Sequence, residues 1–88
     1  MAERTVTLVN RRGLHARASA RFVTLAAAQT ASVEVEKDGS KVTGTSIMGL
    51  MMLGAAMGDT ITIRAEGDGA DEVVAALSQL VEDAFGEE

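Results

Sequence analysis

Apolar and polar residues alternate in several short stretches of this chain. From Thr5 to Val9, Val6 and Leu8 share one face while Thr5 and Thr7 share the other. That period of two is the mark of a strand buried on one side. Ser32 to Lys37 repeats the pattern more clearly, with Val33 and Val35 inward and Glu34 and Glu36 outward. Asp38-Gly39 then predicts a tight hairpin turn, because glycine accepts positive φ without steric cost. Lys41 to Thr43 is the short return strand, and Thr60 to Ala65, with Ile61 and Ile63 inward, is the fourth. Three stretches switch to helical spacing. Ala16 to Gln29 is rich in alanine and places Phe22, Leu25 and Ala26 on one face. Ser46 to Leu53 is a short helix that stops before Gly54. Ala70 to Phe85 is strongly amphipathic, with Val73, Val74, Leu77, Leu80, Val81 and Ala84 recurring at steps of three and four, and Gly86 ends it. Asp71 and Glu72 fall in its first turn, where the helix dipole favours acids.

The predicted order is therefore β-α-β-β-α-β-α. Each strand has one apolar face, which predicts a two-layer α/β sandwich whose antiparallel sheet is covered on one side. The helical crossover from the first strand to the second leaves room for another strand between them. No repeat, linker or low-complexity tract divides the 88 residues, so a single domain over 1–88 with one modest core is expected.

Composition narrows the function. The net charge is −5, and with no Trp or Tyr there is neither a basic surface nor a stacking platform for nucleic acid. Cysteine is absent, so thiolate chemistry and disulfide staples are excluded, and a reducing, cytoplasmic setting is expected. No long apolar segment predicts a signal peptide or membrane insertion; the most apolar run, Ile47 to Met57, is too short to span a bilayer.

The chemistry concentrates in Asn10-Arg11-Arg12-Gly13-Leu14-His15-Ala16-Arg17-Ala18-Ser19, between the first strand and the first helix. His15 is the only histidine and sits where helical N–H groups lack partners. Such donors, together with the dipole, favour an anion. Arg17 lies two residues on, with a guanidinium suited to the same anion, and Arg11 and Arg12 add positive charge before it. A neutral imidazole is a good nucleophile toward phosphorus. The same pattern also suits an ordinary helix-start histidine among solvated arginines. No metal site is expected, because one histidine without cysteine lacks nearby carboxylate partners.

Ser46 reads as the N-cap of the second helix. Around that helix Ile47, Met48, Met51 and Met52 form an apolar cluster too large to face inward on two turns. Leu50 and Leu53 are assigned to the core, and Ile47, Met48 and Met51 to an exposed patch; flexible methionine suits a surface that meets several partners.

Gly13-Leu14-His15-Ala16-Arg17 resembles the active-site motif of the HPr family, phosphocarriers of the bacterial phosphoenolpyruvate:sugar phosphotransferase system. Gly44-Thr45-Ser46-Ile47-Met48-Gly49-Leu50-Met51-Met52-Leu53-Gly54 resembles that family's regulatory-serine segment, and the likeness extends over essentially the whole chain. It implies an HPr-like α+β open-faced sandwich, with strand order 1-4-2-3 and three helices on one face. It implies that His15 takes a phosphoryl group on Nδ1 from phosphorylated Enzyme I and passes it to IIA domains, with Arg17 pairing the phosphate. The chain would then be a carrier without a cofactor and not a free-standing enzyme. The same resemblance makes Ser46 a target of HPr kinase/phosphorylase, and makes Ala20, Ile47, Met48 and Met51 the docking face of a monomer. Two positions depart from the family pattern: Ala18 replaces the usual proline, and Thr45 stands where many regulated members have a basic residue. Two other readings fit the same residues. One is a regulatory, nitrogen-related phosphotransferase branch, which the Met51-Met52 segment resembles equally. The other is an interaction module acting through phosphoserine, with His15 unused.

Overall fold

The computed structural model describes residues 1–87. Its strands are β1 (Ala2–Thr7), β2 (Ser32–Lys37), β3 (Ser40–Thr43) and β4 (Thr60–Glu66); its helices are α1 (Ala16–Ala27), α2 (Ile47–Met52) and α3 (Ala70–Glu82). The four strands form one antiparallel sheet in the order β1-β4-β2-β3. β4 is thus the strand that the α1 crossover leaves room for. The element order and the strand order are those expected.

Period-two burial explains the register. Val6 lies opposite Ile61, and Val35 opposite Ile63, so the inward residues of three strands form one apolar floor. Leu8 extends that floor past the end of β1: it is fully buried, and its N–H donates to Asp59 O at 2.9 Å. Phe22 of α1 and Val73, Leu77 and Val81 of α3 cover the floor and are themselves buried. The opposite face stays polar. There the Arg64 guanidinium meets Glu3 at 2.8 Å, Glu36 at 2.5 Å and Glu34 at 3.4 Å, and the Thr5 and Thr62 hydroxyls meet at 3.1 Å.

β1 begins three residues earlier than the alternation predicts, because Ala2 pairs with Ala65 and is buried. A larger correction concerns α3. The helical pattern runs to Phe85, yet the helix ends at Glu82, and Ala84 and Phe85 adopt φ of 56° and 57°. Left-handed backbone costs an L-residue roughly 1–2 kcal/mol. Two tertiary contacts hold it here: Phe85 is fully buried, and the Arg21 guanidinium of α1 donates to the Phe85 carbonyl. The reversal sends the chain back toward the start of α1.

Candidate functional site

The loop after β1 places His15 through one glycine. Gly13 has φ of 61°, and a Cβ there would lie 2.3 Å from Ala55 O and 2.8 Å from Ala56 Cα. The bare glycine lets Leu14 N–H reach Ala55 O at 3.0 Å, which ties this loop to the chain after α2. The buried Asn10 donates from Nδ2 to Gly13 O at 2.8 Å, closing the loop from inside.

His15 follows as the N-cap of α1, with extended backbone, and its Nδ1 accepts the Arg17 N–H at 3.2 Å. A histidine thus fills the role usual for Ser or Asp, offering a ring nitrogen to an orphan amide. The other ring nitrogen, Nε2, lies 2.6 Å from Glu87 Oε2. Glu87 Oε1 in turn accepts from Asn10 Nδ2 at 3.1 Å. The hydrogen bond from His15 holds the Glu87 carboxyl below its ordinary range; Asn10 adds to this, and partial burial opposes it. An ionised carboxylate can only accept, so Nε2 carries the ring hydrogen. An amide N–H can only donate, so Nδ1 presents its lone pair. Both contacts select one tautomer, with the unprotonated nitrogen at the helix N-terminus.

Arg17 is exposed and forms no ion pair among the described residues. Its side chain stands beside an open, mostly apolar groove of about 690 Å³ between α1 and the end of α3, lined also by Ala20, Thr24 and Leu25. Arg11 and Arg12 are exposed in the preceding loop. Ala18 is fully buried in the first turn of α1. No group of three or more acids, histidines and cysteines fit to hold a metal occurs among the described residues.

Ser46 caps α2 as expected, its Oγ accepting Gly49 N–H at 3.0 Å. Leu50 is wholly buried and Leu53 partly, while Ile47, Met48 and Met51 are 40%, 70% and 41% exposed. Met52, left out of the expected patch, is more exposed than any of them at 80%, so the apolar surface of α2 extends to its last residue. Glu87 and a role for Asn10 were not legible in the sequence. A contact spanning 72 positions leaves no periodic trace, and the helical pattern hides the turn that creates it.

No helix is long and apolar enough to cross a membrane among the described residues. The family model for the PTS HPr component phosphorylation site matches residues 2–83. The phosphocarrier protein HPr of Neisseria meningitidis serogroup A is 47% identical over 89 aligned positions, covering 99% of this chain and 98% of that protein. The phosphocarrier protein NPr of Shewanella violacea is 39% identical, covering 97% of this chain and 93% of that protein. Among solved structures, HPr from Thermoanaerobacter tengcongensis superimposes with a TM-score of 0.95 at 45% identity, covering 100% of this chain and 99% of that one. Taken with the β-α-β-β-α-β-α order and the 1-4-2-3 sheet, these matches show that the chain belongs to the HPr family of phosphotransferase-system phosphocarriers.

Proposed function

We propose that His15 accepts a phosphoryl group on Nδ1 from phosphorylated Enzyme I and passes it to a IIA domain. The observation that supports this is the ring itself: Nδ1 presents its lone pair to an amide of the α1 N-terminus while Nε2 holds its hydrogen against Glu87. An incoming phosphoryl group would replace nothing but the 3.2 Å contact from Arg17 N–H, and its oxygens would then accept from that same donor. The Arg17 guanidinium, without a carboxylate partner among the described residues, supplies a cation for the phosphate. Phosphoryl transfer needs in-line positioning and charge neutralisation more than covalent chemistry from the protein. The carrier provides the acceptor and one cation, and its partner supplies the rest.

Ala20, Ile47, Met48 and Met51 form the proposed docking face for Enzyme I and IIA, and Met52 borders it. Ser46 is the proposed site for HPr kinase/phosphorylase; its N-cap geometry would let a phosphate accept from Gly49 N–H. A monomeric, single-domain, cytoplasmic carrier is part of the same reading. The test is incubation with Enzyme I and phosphoenolpyruvate followed by mass measurement. The parent gains one acid-labile phosphate and His15→Ala gains none; a labelled His15→Ala would refute the assignment. The likeness to an NPr favours a second reading, in which the IIA acceptor belongs to a nitrogen-related branch. Presenting the phosphorylated protein to IIA proteins of both branches decides between them.

A further inference from the structure

All the sulfur in this chain is methionine: there are five methionines and no cysteine. Methionine is ordinarily among the residues most often buried, where it fills irregular gaps. Here none packs the core. Alanine, valine, leucine, isoleucine and phenylalanine fill the interior, and every methionine is at least 41% exposed. Three of the five, Met48, Met51 and Met52, stand on α2, which is anchored by the buried Leu50. Steps of three and four residues make Met48 a neighbour of both Met51 and Met52 on the helix surface. The bond from Leu14 N–H to Ala55 O holds the segment that carries them against the His15 loop.

We propose that Met48, Met51 and Met52 form a reversible oxidation site: a peroxide converts them to sulfoxides, which weakens docking of Enzyme I while the fold stays intact. This rests on the reading that α2 belongs to the docking face.

The chemistry balances. A thioether lone pair attacks one oxygen of hydrogen peroxide, the O–O bond breaks and an S–O bond forms. The second oxygen takes up the protons and leaves as water. Sulfur loses two electrons and the peroxide gains them. A sulfoxide reductase reverses the step: the oxygen leaves as water and a dithiol is oxidised to a disulfide. No thiolate in the chain competes for the peroxide. Met52 and Met48, the most exposed of the three, react before Met51. The product is polar where the thioether was apolar, so a partner that closes on it must desolvate an S–O group with no donor waiting. The interior holds no methionine for the same reagent to damage.

The experiment treats the protein with hydrogen peroxide, removes the reagent, and measures Enzyme I-dependent labelling of His15 over a range of carrier concentrations. Peptide mass mapping finds one added oxygen on each of Met48, Met51 and Met52, and the urea midpoint stays at its untreated value. The KM for the carrier rises about tenfold or more, with kcat little changed. A sulfoxide reductase with dithiothreitol reverses the rise. Combining Met48→Leu, Met51→Leu and Met52→Leu keeps the face apolar and removes its thioethers. Whatever KM that variant starts from, peroxide leaves it unchanged, although Met1 and Met57 still oxidise. Met57→Leu remains as sensitive as the parent. An unchanged KM in the oxidised parent would overturn the proposal. So would equal sensitivity in the triple variant, or unfolding on oxidation. A double variant, Met48→Gln with Met51→Gln, places polar groups on the face without any oxidant. A raised KM there beside an insensitive parent would refute the oxidation site alone. No rise in either would remove α2 from the docking face, and the proposal with it.

Discussion

Replacing Gly13 by alanine separates two costs that a glycine can hide. The first is conformational: φ is 61°, and forcing an L-residue into that region costs about 1 kcal/mol. The second is steric. The new Cβ would meet Ala55 O at 2.3 Å and Ala56 Cα at 2.8 Å, both backbone atoms that no rotamer change can move. Relief requires the Leu14 N–H to Ala55 O bond to lengthen from 3.0 Å, and overpacking of this kind costs roughly 1–3 kcal/mol. Gly39 provides the control. Its φ is 85°, but a Cβ there meets nothing within 4 Å, so Gly39→Ala bears only the first cost. Urea unfolding followed by circular dichroism reads both variants. Gly39→Ala is expected to lose about 1 kcal/mol and Gly13→Ala about 3 kcal/mol. For a domain of this size that difference of about 2 kcal/mol separates their melting temperatures by about 10 °C. Equal losses in the two variants would show that the loop after β1 yields freely, and that Gly13 does not hold His15 against the chain after α2.

Three further outcomes follow from the same contacts. Arg17→Glu places a carboxylate beside the incoming phosphate and should slow Enzyme I-dependent labelling by about 10²-fold, while Arg17→Lys keeps the charge, loses the fork and should slow it less; parent rates in the Glu variant would remove Arg17 from the site. Ser46→Asp keeps an N-cap acceptor and should leave stability within about 0.5 kcal/mol, whereas Ser46→Ala should cost about 1 kcal/mol in urea unfolding; labelling of Ser46→Asp should be slow at both low and high salt if the charge must be desolvated against Ile47 and Met48, and equal rates would leave Ser46 as a cap alone. Glu87 has its carboxyl pKa lowered in the folded state, so its contribution is present above the unfolded value near 4.3 and disappears as pH falls through the lower folded value; the parent should be more stable than Glu87→Gln at neutral pH and equal to it in strong acid, and a gap that persists in acid would deny the charge its role.

The parts of the site that the sequence shows are those made by neighbours. His15, the Arg17 amide and the α1 start lie within three residues of one another, and a helix N-terminus always leaves donors to be filled. Ser46 and Gly49 are equally close, and their cap was legible for the same reason. The alternation of Val33 with Val35 and of Ile61 with Ile63 reports a buried face directly, and the fold follows from those faces. The strand order had to come from resemblance, because hydrophobic period states which side of a strand is buried and not which strand lies beside it. Glu87 lay beyond both kinds of signal. Ala84 and Phe85 continue the apolar spacing of α3, so the pattern predicts more helix, and the break at Asp83 exists only because Phe85 has a place in the core and Arg21 binds its carbonyl. Both reasons are tertiary. The result is a ring addressed from two directions: local structure presents a donor to Nδ1, and the completed fold brings a carboxylate to Nε2. A short motif can specify the first nitrogen. The second depends on the packing of α3 against α1, so substitutions at Phe85 or Arg21, far from His15 in sequence, should change the chemistry of its ring.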